Sequence, residues 1–300
     1  MKPPPFAYRR PASVTEAAQA LAAGGDEAKV IAGGQSLVPL LNFRLASPAL
    51  LVDVNAVGAL DRLRVEGGKV EVGATVRQAR LLRDAGLGAA HPLLAEAARW
   101  IAHPVIRNRG TVCGSLAHAD PAAELPAVLA LLGGSVEAVA WRAGGLTGRR
   151  VDAGDLFDGP LQTTLEPDEL VVSATFPALS PRTGWAIDEL ARRHGDFAIA
   201  GVAVTVAVDG DGAPTAGRAA YMSCAPTPVV LDIGAALAGE PAPGPALRDL
   251  VAASLAPTGD IHASGEYRRH LAAALTVRAA GRALARARAA APGRPSEVPA

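Results

Sequence analysis

Two stretches of small residues hold most of the chemistry this chain can do. The first is Val30-Ile31-Ala32-Gly33-Gly34-Gln35-Ser36-Leu37, and the second is Arg109-Gly110-Thr111-Val112-Cys113-Gly114-Ser115-Leu116-Ala117-His118-Ala119-Asp120, continuing into Pro121-Ala122-Ala123-Glu124-Leu125-Pro126. A residue without a Cβ lets the backbone turn at positive φ and lets a ligand approach closely. Successive N–H groups in such a turn form a concave nest for an anion. Two such nests suit a ligand with two phosphates, a dinucleotide rather than a mononucleotide. Thr111 and Ser115 add hydroxyl donors.

The first stretch is not a familiar nucleotide fingerprint, and the second is the more specific signal. Gly33-Gly34-Gln35-Ser36 has only two adjacent glycines, where a Rossmann turn needs Gly-x-Gly-x-x-Gly and an acidic residue after the next strand. No Gly-Lys-Ser/Thr follows to make a Walker-type loop, and read alone the first stretch is also consistent with a plain turn. In the second stretch Asp120 and Glu124 would share a helix face. A carboxylate is repelled by phosphate but accepts well from a sugar or ribityl hydroxyl, which is the role expected of Glu124. For Asp120 helix N-capping ahead of Pro121 is an equal reading. His118 has the ring for proton transfer, with a structural hydrogen bond as its plainer use. Arg192-Arg193 suits a phosphate or an acidic surface, or simply solvent.

The elements that must position these residues are legible in outline. Ser13-Val14-Thr15-Glu16 is a capping box opening an alanine-rich helix that ends at Gly24-Gly25. Strands are expected at 29–32 and 50–54, and a hairpin at 60–73 turns on Gly67-Gly68. Thr75-Val76-Arg77-Gln78 reads as a second capping box, and helices follow at 91–102 and 122–132. Strands at 135–140, 151–157 and 170–176 complete the first region. Beyond a Pro/Ser/Gly-rich link at 177–183 come strands at 199–208 and 217–223, helices at 229–238 and 246–255, and a long helix capped by Ser264. The fold class is α+β.

Composition narrows the function. Half the residues are hydrophobic but only 4% are aromatic, so the core must be built from Leu, Val and Ala. The formal net charge is +0, against nucleic acid as the main partner. The one basic cluster, Arg278 to Arg288, alternates with alanine and reads as a solvated helix face. No apolar run is long enough for a membrane span, and the N-terminus lacks the apolar core of a signal peptide, so a cytoplasmic location is expected. Cys113 and Cys224 are the only cysteines, too few for an iron–sulfur cluster. The six histidines show no zinc-binding spacing, so no metal site is expected.

With both glycine stretches in place, and with Arg192-Arg193-His194-Gly195-Asp196-Phe197-Ala198 as a third element, the chain resembles the FAD-binding medium subunit of bacterial molybdenum hydroxylases, the carbon monoxide dehydrogenase and xanthine dehydrogenase group. The likeness runs from Phe6-Ala7-Tyr8 to the final helix. It implies an FAD-binding domain of two subdomains, related to that of vanillyl-alcohol-oxidase-like flavoproteins, over 1–177 with an internal boundary near 55–60. A smaller α+β domain with an antiparallel sheet would follow over 178–290, with a frayed tail at 291–300.

The resemblance implies that Val30, Ile31, Ala32, Gly33, Gly34, Gln35, Ser36 and Leu37 form one pyrophosphate turn and Thr111, Val112, Cys113, Gly114 and Ser115 the other. Glu124 would take a sugar or ribityl hydroxyl, Ile101 and Leu165 would contact the cofactor, and Phe197 would cover the flavin ring. No residue of this chain would be catalytic toward an organic substrate. FAD would be non-covalent, with the molybdenum cofactor and [2Fe-2S] clusters on a large and a small partner subunit in a dimer of heterotrimers. The chain would pass electrons from those clusters to NAD, a quinone or another acceptor.

A self-sufficient flavin oxidase or dehydrogenase is the alternative, and a flavin-free scaffold subunit a third reading. Two departures stand out. Cys113 replaces a common glycine, inviting strain at positive φ and, less readily, a covalent flavin link. Glu189 falls where relatives place a lysine near the flavin.

Overall fold

The computed structural model describes residues 2–240 and 242–290, so the expected tail at 291–300 lies outside the described residues. The chain forms two compact units. One holds the residues up to Asp120 together with Leu132–Ala178, and the other holds Pro121–Leu131 together with the residues from Leu179 on. The helix Glu124–Leu132, which directly follows the second glycine stretch in sequence, thus falls almost entirely with the second unit.

The first unit is built on two main sheets, beside a two-stranded ribbon at 157–163. The smaller is parallel, with Leu50–Asp53 between Ala7–Arg9 and Ala28–Ile31. Parallel neighbours need a crossover, and the helix Leu37–Phe43 lies on the path that joins Ala28–Ile31 to Leu50–Asp53. The larger is antiparallel, in the order Leu63–Glu66, Lys69–Gly73, Leu170–Pro177, Ser135–Arg142, Gly145–Asp152. Gly67 and Gly68, at φ 58° and 72°, make the expected hairpin turn.

The second unit has one antiparallel sheet, in the order Thr183–Leu190, Ala200–Val208, Pro214–Met222, Val229–Asp232. The helix Gly265–Ala290 packs on it through a stripe that includes Ala272, Ala279, Ala283 and Ala287, all fully buried. Alanine lets the helix come close, and Gly184 completes the fit, since a Cβ there would overlap the Ala283 carbonyl oxygen.

Several sequence expectations are corrected. Thr75 caps nothing. The helix runs Gln78–Arg83 with Arg77 as an N-cap that makes no side-chain bond, because the preceding backbone is taken up by pairing with the second glycine stretch (Gln78 N–H to Gly110 O, 2.9 Å; Val112 N–H to Val76 O, 3.1 Å). The expected strand at 151–157 is instead the end of an unforeseen strand, Gly145–Asp152, and a short helical turn, Ala153–Leu156.

The segment 229–238 begins as the strand Val229–Asp232 rather than a helix, since its β-branched start pairs with Arg218–Tyr221. Asp120 is not a helix cap, because the next helix starts only at Glu124.

The arginine cluster is largely exposed, as expected, but its side chains are also bound to the neighbouring strand. Arg278 holds the buried Asp188 carboxylate with two bonds (2.5 and 2.8 Å). Arg282 donates to the Ile187 carbonyl (2.8 Å) and Arg286 to that of Trp185 (2.7 Å), over whose ring it also stacks. Thr183–Leu190 is an edge strand whose outer carbonyls need donors, and arginines four residues apart on one helix face supply them.

Candidate cofactor site

In the first unit the two glycine stretches meet backbone to backbone. A Cβ on Gly33 would overlap the Arg109 carbonyl oxygen and lie 2.8 Å from Gly110 Cα, so glycine is required there by close approach. Gly34 makes the turn itself, at φ 72°. Its carbonyl accepts from Val38 (3.0 Å) and starts the helix Leu37–Phe43, whose N-cap Ser36 makes no side-chain cap bond. Val38 N–H is thereby used and Pro39 has none, so an anion here would meet the N–H groups of the turn rather than a free helix start. Gln35 folds back on the Gly33 carbonyl (3.1 Å).

The second stretch is a helix start rather than a free loop. Thr111 is the N-cap of Val112–His118 and its hydroxyl accepts from Gly114 N–H (3.1 Å). Gly114 has to be small because a Cβ would overlap that hydroxyl. Cys113 is therefore helical, and the expected strain at positive φ is absent. Its thiol is buried, donates to the Val72 carbonyl (3.4 Å) and is pushed up to about 12 by burial. Such a group is packing rather than a nucleophile. Ser115 lies two positions past Cys113 in the same helix, and His118 closes the last turn, where Ala119 is left-handed (φ 52°).

The other expected contacts of the first unit are held by side chains. Ile101 is buried at the end of the helix Pro92–Trp100, beside left-handed Ala102 (φ 37°), and Arg107 donates to the carbonyls of both. The turn carrying Leu165 is fixed at Thr164, whose carbonyl accepts from Arg149 (2.9 Å) and whose hydroxyl donates to the Asp155 carbonyl (2.7 Å).

Glu124 and Phe197 belong to the second unit. Phe197 is 73% exposed, on a loop that turns at Gly195 (φ 87°). The residues after it are pinned, since the Ala198 carbonyl accepts from the Ser223 hydroxyl (2.6 Å) and the Ile199 carbonyl from buried Arg268 (2.5 Å). Ser223, left-handed at φ 59°, also donates its N–H to the Pro121 carbonyl (2.8 Å), just before Glu124. One serine thus ties together the segments that carry Glu124 and Phe197. Glu189 is buried with one carboxylate oxygen lacking a partner, and burial, reinforced by the charges of Glu124 and Asp188, pushes its carboxyl up to about 8.

Four residues that organise this geometry are not evident from the sequence: Asn55, Arg77, Ser223 and Arg268. Only Asn55 has a local signal, as the second Asx residue of Asp53-Val54-Asn55 after a strand, where the Asp53 side chain accepts from Asn55 N–H (2.9 Å).

Two glycine turns in backbone contact form a cradle of the kind that suits a phosphate-bearing ligand. Comparison with known proteins makes this specific. Residues 4–179 match the FAD binding domain in molybdopterin dehydrogenase, and residues 185–283 match the CO dehydrogenase flavoprotein C-terminal domain.

The chain is 40% identical to the 6-hydroxypseudooxynicotine dehydrogenase complex subunit alpha of Paenarthrobacter nicotinovorans, over 96% of this chain and 97% of that one. It is 37% identical to the carbon monoxide dehydrogenase medium chain of Hydrogenophaga pseudoflava, over 95% and 99%. A solved structure of carbon monoxide dehydrogenase from the same organism superposes with a TM-score of 0.87 at 37% identity, over 95% of this chain and 99% of that one. Quinoline 2-oxidoreductase from Pseudomonas putida 86 gives 0.86 at 36%, over 97% and 100%. The chain belongs to the family of FAD-binding medium subunits of molybdenum hydroxylases, and is an oxidoreductase subunit with FAD as its cofactor. Among the described residues no helix is long and apolar enough to cross a membrane, and no cluster of metal-binding side chains occurs.

Proposed function

We infer that this chain is the electron-transfer subunit of a heteromeric molybdenum hydroxylase, holding FAD without a covalent bond and relaying electrons to an external acceptor such as NAD or a quinone. The observation that carries the reading is the contact between Gly33 and the Arg109-Gly110 backbone, which brings the two glycine turns together where one diphosphate could meet both. FAD supplies the redox chemistry when bound, and the protein binds, orients and tunes it.

In this reading Val30–Leu37 and Thr111–Ser115 hold the diphosphate through backbone N–H groups and hydroxyls. Ile101 and Leu165 present apolar surface and backbone to the cofactor. Glu124 accepts from a sugar or ribityl hydroxyl, and exposed Phe197 covers the ring. Residues 1–177, divided near 55–60, form the cofactor domain and 178–290 the C-terminal domain. Buried Cys113, with its thiol pushed far up, favours non-covalent binding.

The partners are a large molybdenum-cofactor subunit and a small iron–sulfur subunit, in a dimer of heterotrimers. Support comes from relatives called medium chains or complex subunits and covered almost end to end. A cytoplasmic location agrees with two buried, unpaired cysteines. The organic substrate is then bound and oxidised on another chain.

The test is partner dependence. The purified FAD-loaded chain is mixed anaerobically with candidate N-heterocycles or aldehydes, alone and together with its large and small subunits. Bleaching of the flavin only in the complete mixture is the expected result. Bleaching of the isolated chain by an organic substrate would contradict it and favour a self-sufficient dehydrogenase.

A further inference from the structure

A polar chain runs behind the two glycine turns. The Tyr8 hydroxyl donates to the Asp53 carboxylate, and Asp53 accepts from the Asn55 side-chain amide (2.5 Å). The same amide donates to the Ala32 carbonyl (2.8 Å), in the first glycine turn. The Asn55 side-chain oxygen accepts from Arg77 (2.6 Å), and the other Arg77 terminal nitrogen donates to the Arg109 carbonyl, in the second turn. One guanidinium and one amide therefore hold a carbonyl from each turn.

A trans peptide points its C=O and the following N–H in opposite directions. Anchoring the Ala32 carbonyl on this side turns the Gly33 N–H toward the other. Arg77 is half-buried, and its terminal nitrogens are spent on the Arg109 carbonyl and the Asn55 amide oxygen rather than on a carboxylate. Burial and the neighbouring Arg109 charge both lower its affinity for its proton. The Asp61 and Asp53 carboxylates oppose this without cancelling it, so the junction keeps a net positive field that an anionic ligand would relieve.

We propose that Arg77, seated on Asn55, is a positioning residue for the FAD diphosphate, locking the two glycine turns into one cradle and setting its positive field. This rests on the reading of those turns as the diphosphate site. Asn55 fixes geometry alone, and Arg77 fixes geometry and charge.

The test titrates FAD into the apo form of the full chain at several salt concentrations, for wild type, Arg77→Met, Arg77→Lys and Asn55→Ala. A charge-assisted hydrogen bond supports a loss on the order of 10- to 100-fold in FAD affinity for Arg77→Met. The salt dependence of binding flattens in the same variant, because a charge near the phosphates is gone. Arg77→Lys keeps the salt dependence and recovers only part of the affinity. Asn55→Ala weakens FAD with the salt dependence unchanged, a split that simple misfolding would not give.

Wild-type affinity and salt slope in both Arg77→Met and Asn55→Ala would overturn the proposal while leaving the FAD site intact. If Arg77→Met does not melt cooperatively, the contrast between Arg77→Lys and Asn55→Ala decides. A wild-type chain that takes up no FAD would overturn both the strut and the site it serves.

Discussion

The two units solve the same problem, holding short segments in fixed positions, by different means. At its glycine turns the first does it with backbone contact, backed by the Asn55 and Arg77 side chains: Gly33 lies against Arg109, Gly34 turns at φ 72°, and Thr111 caps its own helix. The second does it with long side chains. Arg268 and Ser223 pin the loop after Phe197, and Arg278, Arg282 and Arg286 bind the edge strand that contains Glu189. Backbone cradles depend on the absence of atoms, so an added methyl breaks them. Side-chain struts depend on charge and hydrogen bonding, so pH and charge-neutral substitutions probe them.

The largest effect is expected where the second unit itself relies on a missing atom. Gly184→Ala places a Cβ on the backbone of the helix Gly265–Ala290. Overpacking against a backbone costs roughly 3 kcal/mol or more, so this variant should melt far below wild type or fail to accumulate as soluble protein. A wild-type melting temperature would show that helix and sheet part more easily than their packing suggests.

Gly33→Val comes next and tests the first unit. Strain of about 3 kcal/mol carried into the cradle corresponds to roughly 100-fold in FAD affinity, measurable by flavin content after gel filtration. Retained stoichiometric FAD would mean that the two turns need not touch.

Smaller effects separate the units by pH. Burial pushes the Glu189 carboxyl from its ordinary 4.5 up to about 8. Its contribution is fully present below the unfolded value and is lost as pH rises through about 8. Glu189→Gln should remove that alkaline loss and raise the melting temperature at pH 8, by about 2–4 °C for each 1 kcal/mol relieved.

In the first unit buried His91 donates its Nε2–H to the Pro177 carbonyl (2.9 Å), and burial lowers it from its ordinary 6.5. Here the contribution is present above the unfolded value of 6.5 and fades as pH falls below it. His91→Gln should blunt the acid loss. Hydrogen exchange resolved by segment should show the acid effect in the first unit and the alkaline effect in the second, and the reverse assignment would break the comparison.

What was legible in the sequence follows the same division. Both glycine turns, the Gly67-Gly68 hairpin and the Ser264 cap were readable because each is a local demand of the backbone. The exposure of the arginine cluster is legible, but its binding partners are not, because the strand lies about ninety residues away (Arg278 and Asp188 are separated by 90 positions) and helical periodicity reports a face without reporting what bonds to it. The failed capping box at Thr75 has the same origin, since the segment was claimed by a long-range pairing with 110–112. Cys113 was expected in a turn and lies in a helix, because Thr111 supplies the cap that starts it. Arg77 and Ser223 left no trace in the sequence, as one is an arginine before a helix and the other a serine after a strand, and only the fold brings their partners to them.

The central claim, a chain that carries FAD without a covalent link, is tested most directly by the visible spectrum of the purified protein and of its supernatant after acid precipitation. The account predicts a flavin spectrum that passes wholly into the supernatant, where the flavin is identified as FAD. Yellow colour retained in the pellet, or a protein that stays colourless after incubation with FAD, would contradict it.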